Sequence, residues 1–267
     1  MPRIAANLTL LFNQHPFLER PAAAAAAGFQ GGECLFPYQW PAEELRAALD
    51  AAGLPLVLFN LPPGDWGAGE RGLAGLPGRE AEFRDGLARA LDYARVLDCP
   101  RLHCMAGIPG DQVDPHRAFD TLVANLSEAA ALCARHDRML TVEPINSRLD
   151  MPGYLVDTPA RARAVIEAVG HPAVRLQYDL YHARVMGEDL FASLADCLPL
   201  IEHVQFADYP GRHQPGSGTL PLAALLAHLD ALGYTGWASA EYFPLDDADG
   251  GLDWLANLRG EAGSLTE

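Results

Sequence analysis

The sequence predicts an α/β protein folded as a (β/α)8 TIM barrel, a single domain over residues 1–267, and three observations support that reading. Short aliphatic runs alternate about eight times with longer amphipathic stretches. Neither a composition break nor a linker divides the chain, and its 267 residues fall in the usual range for one such barrel. The runs are short, apolar and bounded by Gly, Pro or polar residues, as strands buried on both faces of a parallel sheet should be. An open doubly wound sheet would want a Gly-rich phosphate turn after the first strand, where Leu8-Thr9-Leu10-Leu11-Phe12 stands instead.

In order, the expected strands are 3–8, 31–35, 56–60, 101–105, 139–144, 174–179, 201–207 and 237–242. Helical periodicity fills the gaps. In 79–97, Phe83, Leu87, Leu91 and Ala94 recur every three or four residues, and in 115–136 Phe119, Val123, Leu126, Ala130 and Cys133 do the same. Pro41, Asp114-Pro115 and Thr158-Pro159 are helix start signals. Six consecutive alanines at 22–27 read as a tightly packed helix. The exception to short connections is 61–78, which is Gly- and Pro-rich and long enough to be a lid or binding loop.

Composition narrows the chemistry. No apolar run reaches the length of a membrane span, so no membrane partner is expected. The start, Met1-Pro2-Arg3-Ile4, leads into an apolar stretch without a signal peptide's cleavage site, which makes cytoplasmic the expected localisation. The cysteines at 34, 99, 104, 133 and 197 contain no Cys-x-x-Cys pair, which argues against a disulfide framework or a cysteine zinc site. A net charge of −16 would repel a polyanion, so no nucleic acid partner is expected. All 19 basic residues are arginine. Without lysine there is neither an amine for a Schiff base nor a P-loop. Carboxylate, histidine or metal chemistry on a small-molecule substrate remains.

Polar residues at the C-terminal ends of barrel strands face the active site. Glu143, Asp179, Gln205 and Glu241 occupy such places on the fifth to eighth strands and can converge on one point. Each offers oxygen. Three crowded carboxylates repel unless a cation sits among them, and an all-oxygen set favours Mg²⁺ or Mn²⁺ over zinc. Taken singly, each residue has the plainer reading of a helix cap or an arginine partner. Four in register is harder to produce by chance.

The stretches Val142-Glu143-Pro144-Ile145-Asn146, Gln177-Tyr178-Asp179-Leu180-Tyr181-His182, His203-Val204-Gln205-Phe206-Ala207-Asp208 and Glu241-Tyr242 resemble the hydroxypyruvate isomerase family of the xylose-isomerase-like TIM barrels. Gly64-Asp65-Trp66-Gly67-Ala68-Gly69-Glu70-Arg71-Gly72, followed by Leu76-Pro77-Gly78-Arg79, resembles that family's lid, which related sugar 3-epimerases lack. The resemblance runs from the first strand to about Glu241. It implies that Glu143, Asp179, Gln205 and Glu241 bind a divalent metal, Mg²⁺ or Mn²⁺, and that Glu143 and Glu241 also move protons. The epimerase relatives commonly carry histidine in place of Gln205, which leaves the ion's identity open. The implied activity interconverts hydroxypyruvate and 2-hydroxy-3-oxopropanoate through an enediolate. The alternatives on the same site are a 2-oxo-tetronate isomerase or a ketose 3-epimerase. Barrels of this family commonly form homo-oligomers through rim loops and helices.

His182, Arg212 and Asp208 are the candidate substrate-binding residues. His182 lies three residues after Asp179 and reads either as a hydrogen-bonding partner of a substrate oxygen or as a structural histidine. Arg212, in the loop after the seventh strand, is suited to a substrate carboxylate, with a surface arginine as the alternative. Asp208 reads equally as an orienting group or a loop cap. Arg71 fits a solvated lid charge, and Gly216-Ser217-Gly218 fits a tight turn better than a phosphate cradle. Glu33 fits a substrate contact or a buried pair alike. Trp66 and Phe12 are candidate apolar walls. Endonuclease-like phosphodiesterases share such barrels but need a histidine-rich zinc cluster and a basic face, which this sequence lacks.

Overall fold

A computed structural model describes residues 1–245 and 251–258, and over these the expected fold is present. Eight parallel strands close into a barrel in sequence order: β1 (Arg3–Asn7), β2 (Gly31–Cys34), β3 (Leu56–Asn60), β4 (Arg101–His103), β5 (Met139–Val142), β6 (Val174–Asp179), β7 (Ile201–Phe206) and β8 (Trp237–Ala240). β8 closes on β1, with Ala5 opposite Ser239 and Ala6 opposite Ala240. The expected domain end at 267 lies outside the described residues.

The described helices are α1 (Arg20–Ala26), α2 (Ala42–Ala52), α3 (Glu80–Leu97), α4 (Pro115–Arg135), α5 (Pro159–Val169), α6 (Leu180–Met186), α7 (Leu190–Cys197), α8 (Leu222–Ala231) and α9 (Asp253–Leu258). Their starts follow local chemistry. Asp114 accepts from Arg117 N and Thr158 from Arg161 N, each just before a proline at the first helical position. The alanine run builds α1, where Ala24 has no exposed surface. One apolar core joins helices to sheet, and all five cysteines are free and buried in or beside it. Gly31 is held to a bare backbone because a Cβ there would meet the Trp237 ring at 2.8 Å.

Several strands end earlier than expected. The fifth stops at Val142 because Pro144 has no N–H to continue a ladder, so Glu143 stands just past it. Glu241 likewise follows β8 directly. Side chains alternate along each strand, which stacks Thr141 under Glu143, Gln177 under Asp179, His203 under Gln205 and Ser239 under Glu241 on the inner face. Register shifts fall between Gly32 and Glu33 and between Leu176 and Gln177, where an irregularity re-aims the next side chain.

Between β3 and α3 the chain runs over the rim without strand or helix. Glu70 organises this lid, accepting from Asp65 N at 2.6 Å and pairing with Arg79 at 2.7 Å. Gly72 lies at φ +110, where a Cβ would stand 2.3 Å from Met105 O, so the lid lies close against the barrel. Among the described residues no helix is long and apolar enough to cross a membrane.

Candidate active site

A cavity of about 120 Å³ opens at the C-terminal end of the strands, lined in part by Glu143, Glu241, His103, His182, Arg212 and Trp66. The two glutamates expected to flank a common ligand therefore face one space. The Glu143 carboxylate accepts from Gln177 Nε2 at 3.2 Å through Oε2, while its Oε1 has no partner. Asp179 divides its oxygens in the same way. Oδ1 caps α6, accepting from Tyr181 N at 2.6 Å and His182 N at 3.0 Å, and Oδ2 has no partner. The helix-cap reading and the functional one thus apply to different atoms of one residue. His182 Nε2 lies 3.7 Å from Glu143 Oε1 and 4.0 Å from Asp179 Oδ2.

Glu143, Asp179 and His182 offer ligand atoms all within 4.8 Å of one another. Buried carboxylate oxygens without donors are costly, and a divalent cation would satisfy both at once. The residues fit such an ion. Glu241 stands outside this tight grouping, accepting from Asn7 Nδ2 at 3.0 Å and from Arg212 Nη2 at 2.9 Å.

The electrostatics follow from burial. Burial pushes Glu143 well above the ordinary carboxylate range, and the neighbouring Glu241 and Asp179 add to it. Burial also raises Asp179 to about 6 and Glu241 to about 8, with Arg212 opposing both shifts. Burial acts to lower Arg212, but Glu241, Asp179, Asp150 and Glu143 around it reverse the effect and raise it. Desolvation lowers His103 to about 3 and keeps His182 neutral.

Beneath the cavity lies a hydrogen-bonded polar floor, in which His203 Nδ1 lacks a partner among the described residues. Glu33 accepts from Asn7 Nδ2 at 3.0 Å and Gln205 Nε2 at 2.8 Å, and its other oxygen lies 2.7 Å from His203 Nε2. Gln205 Oε1 accepts from Gln177 Nε2 at 2.6 Å, and Gln177 Oε1 accepts from Thr141 at 2.8 Å. Gln205, expected among metal ligands, has both amide groups engaged in this floor, with one carbonyl lone pair left for an ion. Glu33 is a buried pair, the second of its two readings.

Asp208, expected either to orient a neighbour or to cap its loop, does not line the cavity. Its Oδ1 accepts from Tyr209 N and Leu220 N, and its Oδ2 from Gly216 N and Gly218 N. Four donors fill its lone pairs, so it caps the loop. The Gly216-Ser217-Gly218 turn thus cradles an anion that the chain supplies itself. That loop carries Arg212 at φ 59 over the Tyr181 ring and within reach of Glu241 and Asp150. Arg71 stacks 3.8 Å from the Trp66 ring and donates to Trp66 O and Glu70 O, holding the lid. Trp66 does line the cavity, whereas Phe12 is core, edge-on to Phe29.

Sequence reasoning missed His103, Asn7, Gln177, Asn146 and Asp150. His103 lies in the middle of the expected strand 101–105 but ends the shorter β4 of the structure, which brings it to the rim. Asn7 ends β1 in the same way. Gln177 was legible as a polar residue two before Asp179 in an apolar run. Asn146 and Asp150 belong to a loop with no periodic signal.

Three comparisons bear on this site. The sequence pattern of the family described as Xylose isomerase-like TIM barrel matches residues 21–258. A 2-oxo-tetronate isomerase of Cupriavidus necator is 46% identical over 96% of this chain and 98% of its own length. The hydroxypyruvate isomerase of Escherichia coli is 40% identical over 97% of this chain and 100% of its own. A Brucella melitensis structure titled AP endonuclease, family 2, superposes with a TM-score of 0.93 at 44% identity, covering 96% of this chain and 99% of that one.

Proposed function

This chain belongs to the xylose isomerase-like TIM barrel family, in its hydroxypyruvate isomerase and 2-oxo-tetronate isomerase group, and from that premise we propose its reaction and the roles of its residues. It is a sugar-acid isomerase. The preferred substrate is a 2-oxo-tetronate, a four-carbon acid whose 2-oxo and 3-hydroxyl groups exchange oxidation level. The sequence alone put hydroxypyruvate first. The 46% identity to a 2-oxo-tetronate isomerase, against 40% to a hydroxypyruvate isomerase, reverses that order. Hydroxypyruvate stays as the second reading because a cavity of about 120 Å³ suits either small acid better than a ketose.

One observation carries the mechanism: two buried glutamates with raised proton affinity face the same small cavity. Glu241, ion-paired to Arg212, is the more readily ionised and takes the proton from C3. Glu143, whose proton affinity burial raises, returns a proton to C2 as the 3-hydroxyl proton passes to the 2-oxo oxygen, and the reverse reaction exchanges the roles. Arg212 also offers its guanidinium to the substrate carboxylate. Glu143, Asp179, Glu241 and the Gln205 carbonyl would hold Mg²⁺ or Mn²⁺. When bound, that ion supplies positive charge against the oxygens on which negative charge develops. His103 and His182, both neutral, remain to hydrogen-bond substrate oxygens.

An endonuclease reading borrows only the printed title of the Brucella structure. A net charge of −16 and a carboxylate-dominated rim count against it. The test is NMR in deuterated water with 2-oxo-tetronate, hydroxypyruvate and free ketoses, with and without a chelator. Deuterium should enter at the carbons flanking the carbonyl, fastest with 2-oxo-tetronate. Exchange with neither acid would sink the proposal.

A further inference from the structure

The chemistry of His182 depends on which ring nitrogen carries its proton, and the residue beside it decides that. Asn146 has no exposed surface, and its amide orientation is fixed from three sides. Its Oδ1 accepts from Leu149 N and Asp150 N, both at 3.0 Å. Its Nδ2 therefore faces two acceptors, Asp150 Oδ2 at 2.5 Å and His182 Nδ1 at 2.6 Å. Turning the amide over would set its oxygen against the Asp150 carboxylate and its NH₂ against two backbone donors. An amide N–H aimed at Nδ1 requires a bare lone pair there, and a neutral imidazole then bears its proton on Nε2.

We infer that Asn146 is a positioning residue that locks His182 in the Nε2–H tautomer, so that the imidazole donates a hydrogen bond into the cavity instead of ligating the cation. Histidines that ligate metals almost always donate their second ring N–H to a carboxylate, a carbonyl or water. His182 has the opposite arrangement, with a donor facing its second nitrogen. Its Nε2–H stands within 4.0 Å of the unpartnered oxygens of both Glu143 and Asp179 and on the cavity wall. A substrate oxygen placed there completes the bond. Of the three groups clustered within 4.8 Å, the two carboxylates hold the ion and the histidine serves the ligand beside it. Use of that donor in turnover rests on the isomerase reading, whereas the tautomer itself does not.

The test is a long-range ¹H–¹⁵N correlation spectrum of the full, cation-free chain with ¹⁵N-labelled histidine, His182 being assigned by loss of its signals in His182→Ala. The expected pattern is protonated Nε2 and bare Nδ1, and the reverse pattern overturns the inference. In Asn146→Asp a carboxylate that can only accept faces Nδ1, so the pattern should switch to Nδ1–H. An unchanged pattern there means that Asn146 does not set the tautomer. Mn²⁺ titrated into cation-free His182→Ala should lose no more than the roughly 10–100-fold that an outer-shell partner contributes, and a loss far beyond that range, as removal of a ligand would give, overturns the donor role. These readings need no substrate, so a failed isomerase assay leaves them standing and the converse also holds.

Discussion

Glu33 and Glu143 occupy one barrel, are 0% and 4% exposed, and have opposite fates. At Glu33, burial alone would raise the pKa, but His203, Gln205 and Ser239 together hold it below the ordinary value. At Glu143 one oxygen has no donor at all, and burial pushes the group well above that value. Burial does not mark a functional carboxylate. What marks it is burial without partners, because that leaves a charge which only a ligand, an ion or a proton can satisfy. The floor around Glu33 uses its hydrogen bonds to fix geometry. The rim above leaves one oxygen each of Glu143 and Asp179 without a donor.

The largest expected effect separates these two layers by activity. Glu143→Gln and Glu241→Gln should each lower kcat by about 10,000-fold, the upper end of what a proton-transferring group contributes. Glu143→Gln should melt no lower than the unaltered chain, since it replaces a buried carboxyl that has an unpartnered oxygen, whereas Glu241→Gln leaves the buried Arg212 without its ion-pair partner and should melt lower. Undiminished turnover in either would remove that residue from its role. The second effect runs the other way. Glu33→Ala leaves His203, Asn7 and Gln205 without their shared acceptor, and breaking a buried pair of this kind costs about 3–5 kcal/mol. Urea unfolding measures it, and a midpoint unchanged from the unaltered chain would erase the distinction between the layers.

The same contrast explains what the residues disclosed in advance. Eight strands were legible because each is a short apolar run, and most of their ends came out one or two residues early, at β5 because Pro144 cannot continue the ladder. Glu143, Asp179 and Glu241 were singled out because oxygen-bearing residues in register at four successive strand ends are hard to produce by chance, although each alone reads as a cap or an arginine partner. The pairing state of each was not legible. Nothing local tells that Glu33 meets His203 across 170 residues, or that Gly216 and Gly218 turn their N–H groups toward Asp208. The order of substrates was not legible either, since a lid signature does not separate acids that differ by one carbon.

A third effect reads the two layers by pH. In the cation-free chain, Asp179 at about 6 and Glu241 at about 8 keep protons that the unfolded chain has already released, and Glu143 does the same. Their contribution to stability is complete below the ordinary carboxylate range and is lost as pH rises through these values. Glu33, with its pKa depressed, contributes above that range and loses its effect only in acid. Tm of chelator-treated protein should therefore fall between pH 5 and pH 8. Mg²⁺ or Mn²⁺ binds the ionised rim, so its addition should raise Tm by about 5 °C at pH 8 and by much less at pH 5. Equal gains at both pH values would mean that the ion binds elsewhere.

The smallest effect concerns Asp208, a third buried carboxylate that the sequence left undecided. Its four backbone donors put it with Glu33. In Asp208→Asn an NH₂ group must face one pair of those donors, at a cost of about 1–3 kcal/mol for the bonds lost. The loop it anchors carries Arg212, whose backbone N–H donates to Asp208 O at 3.1 Å. Loosening that loop blurs the guanidinium's aim at the substrate carboxylate without touching the proton-moving glutamates. Steady-state kinetics on Asp208→Asn should then give a raised KM, a kcat within about tenfold of the unaltered enzyme and a lowered Tm. A substrate contact would behave differently, with binding lost and Tm unmoved. That outcome would transfer Asp208 from the saturated class to the reactive one.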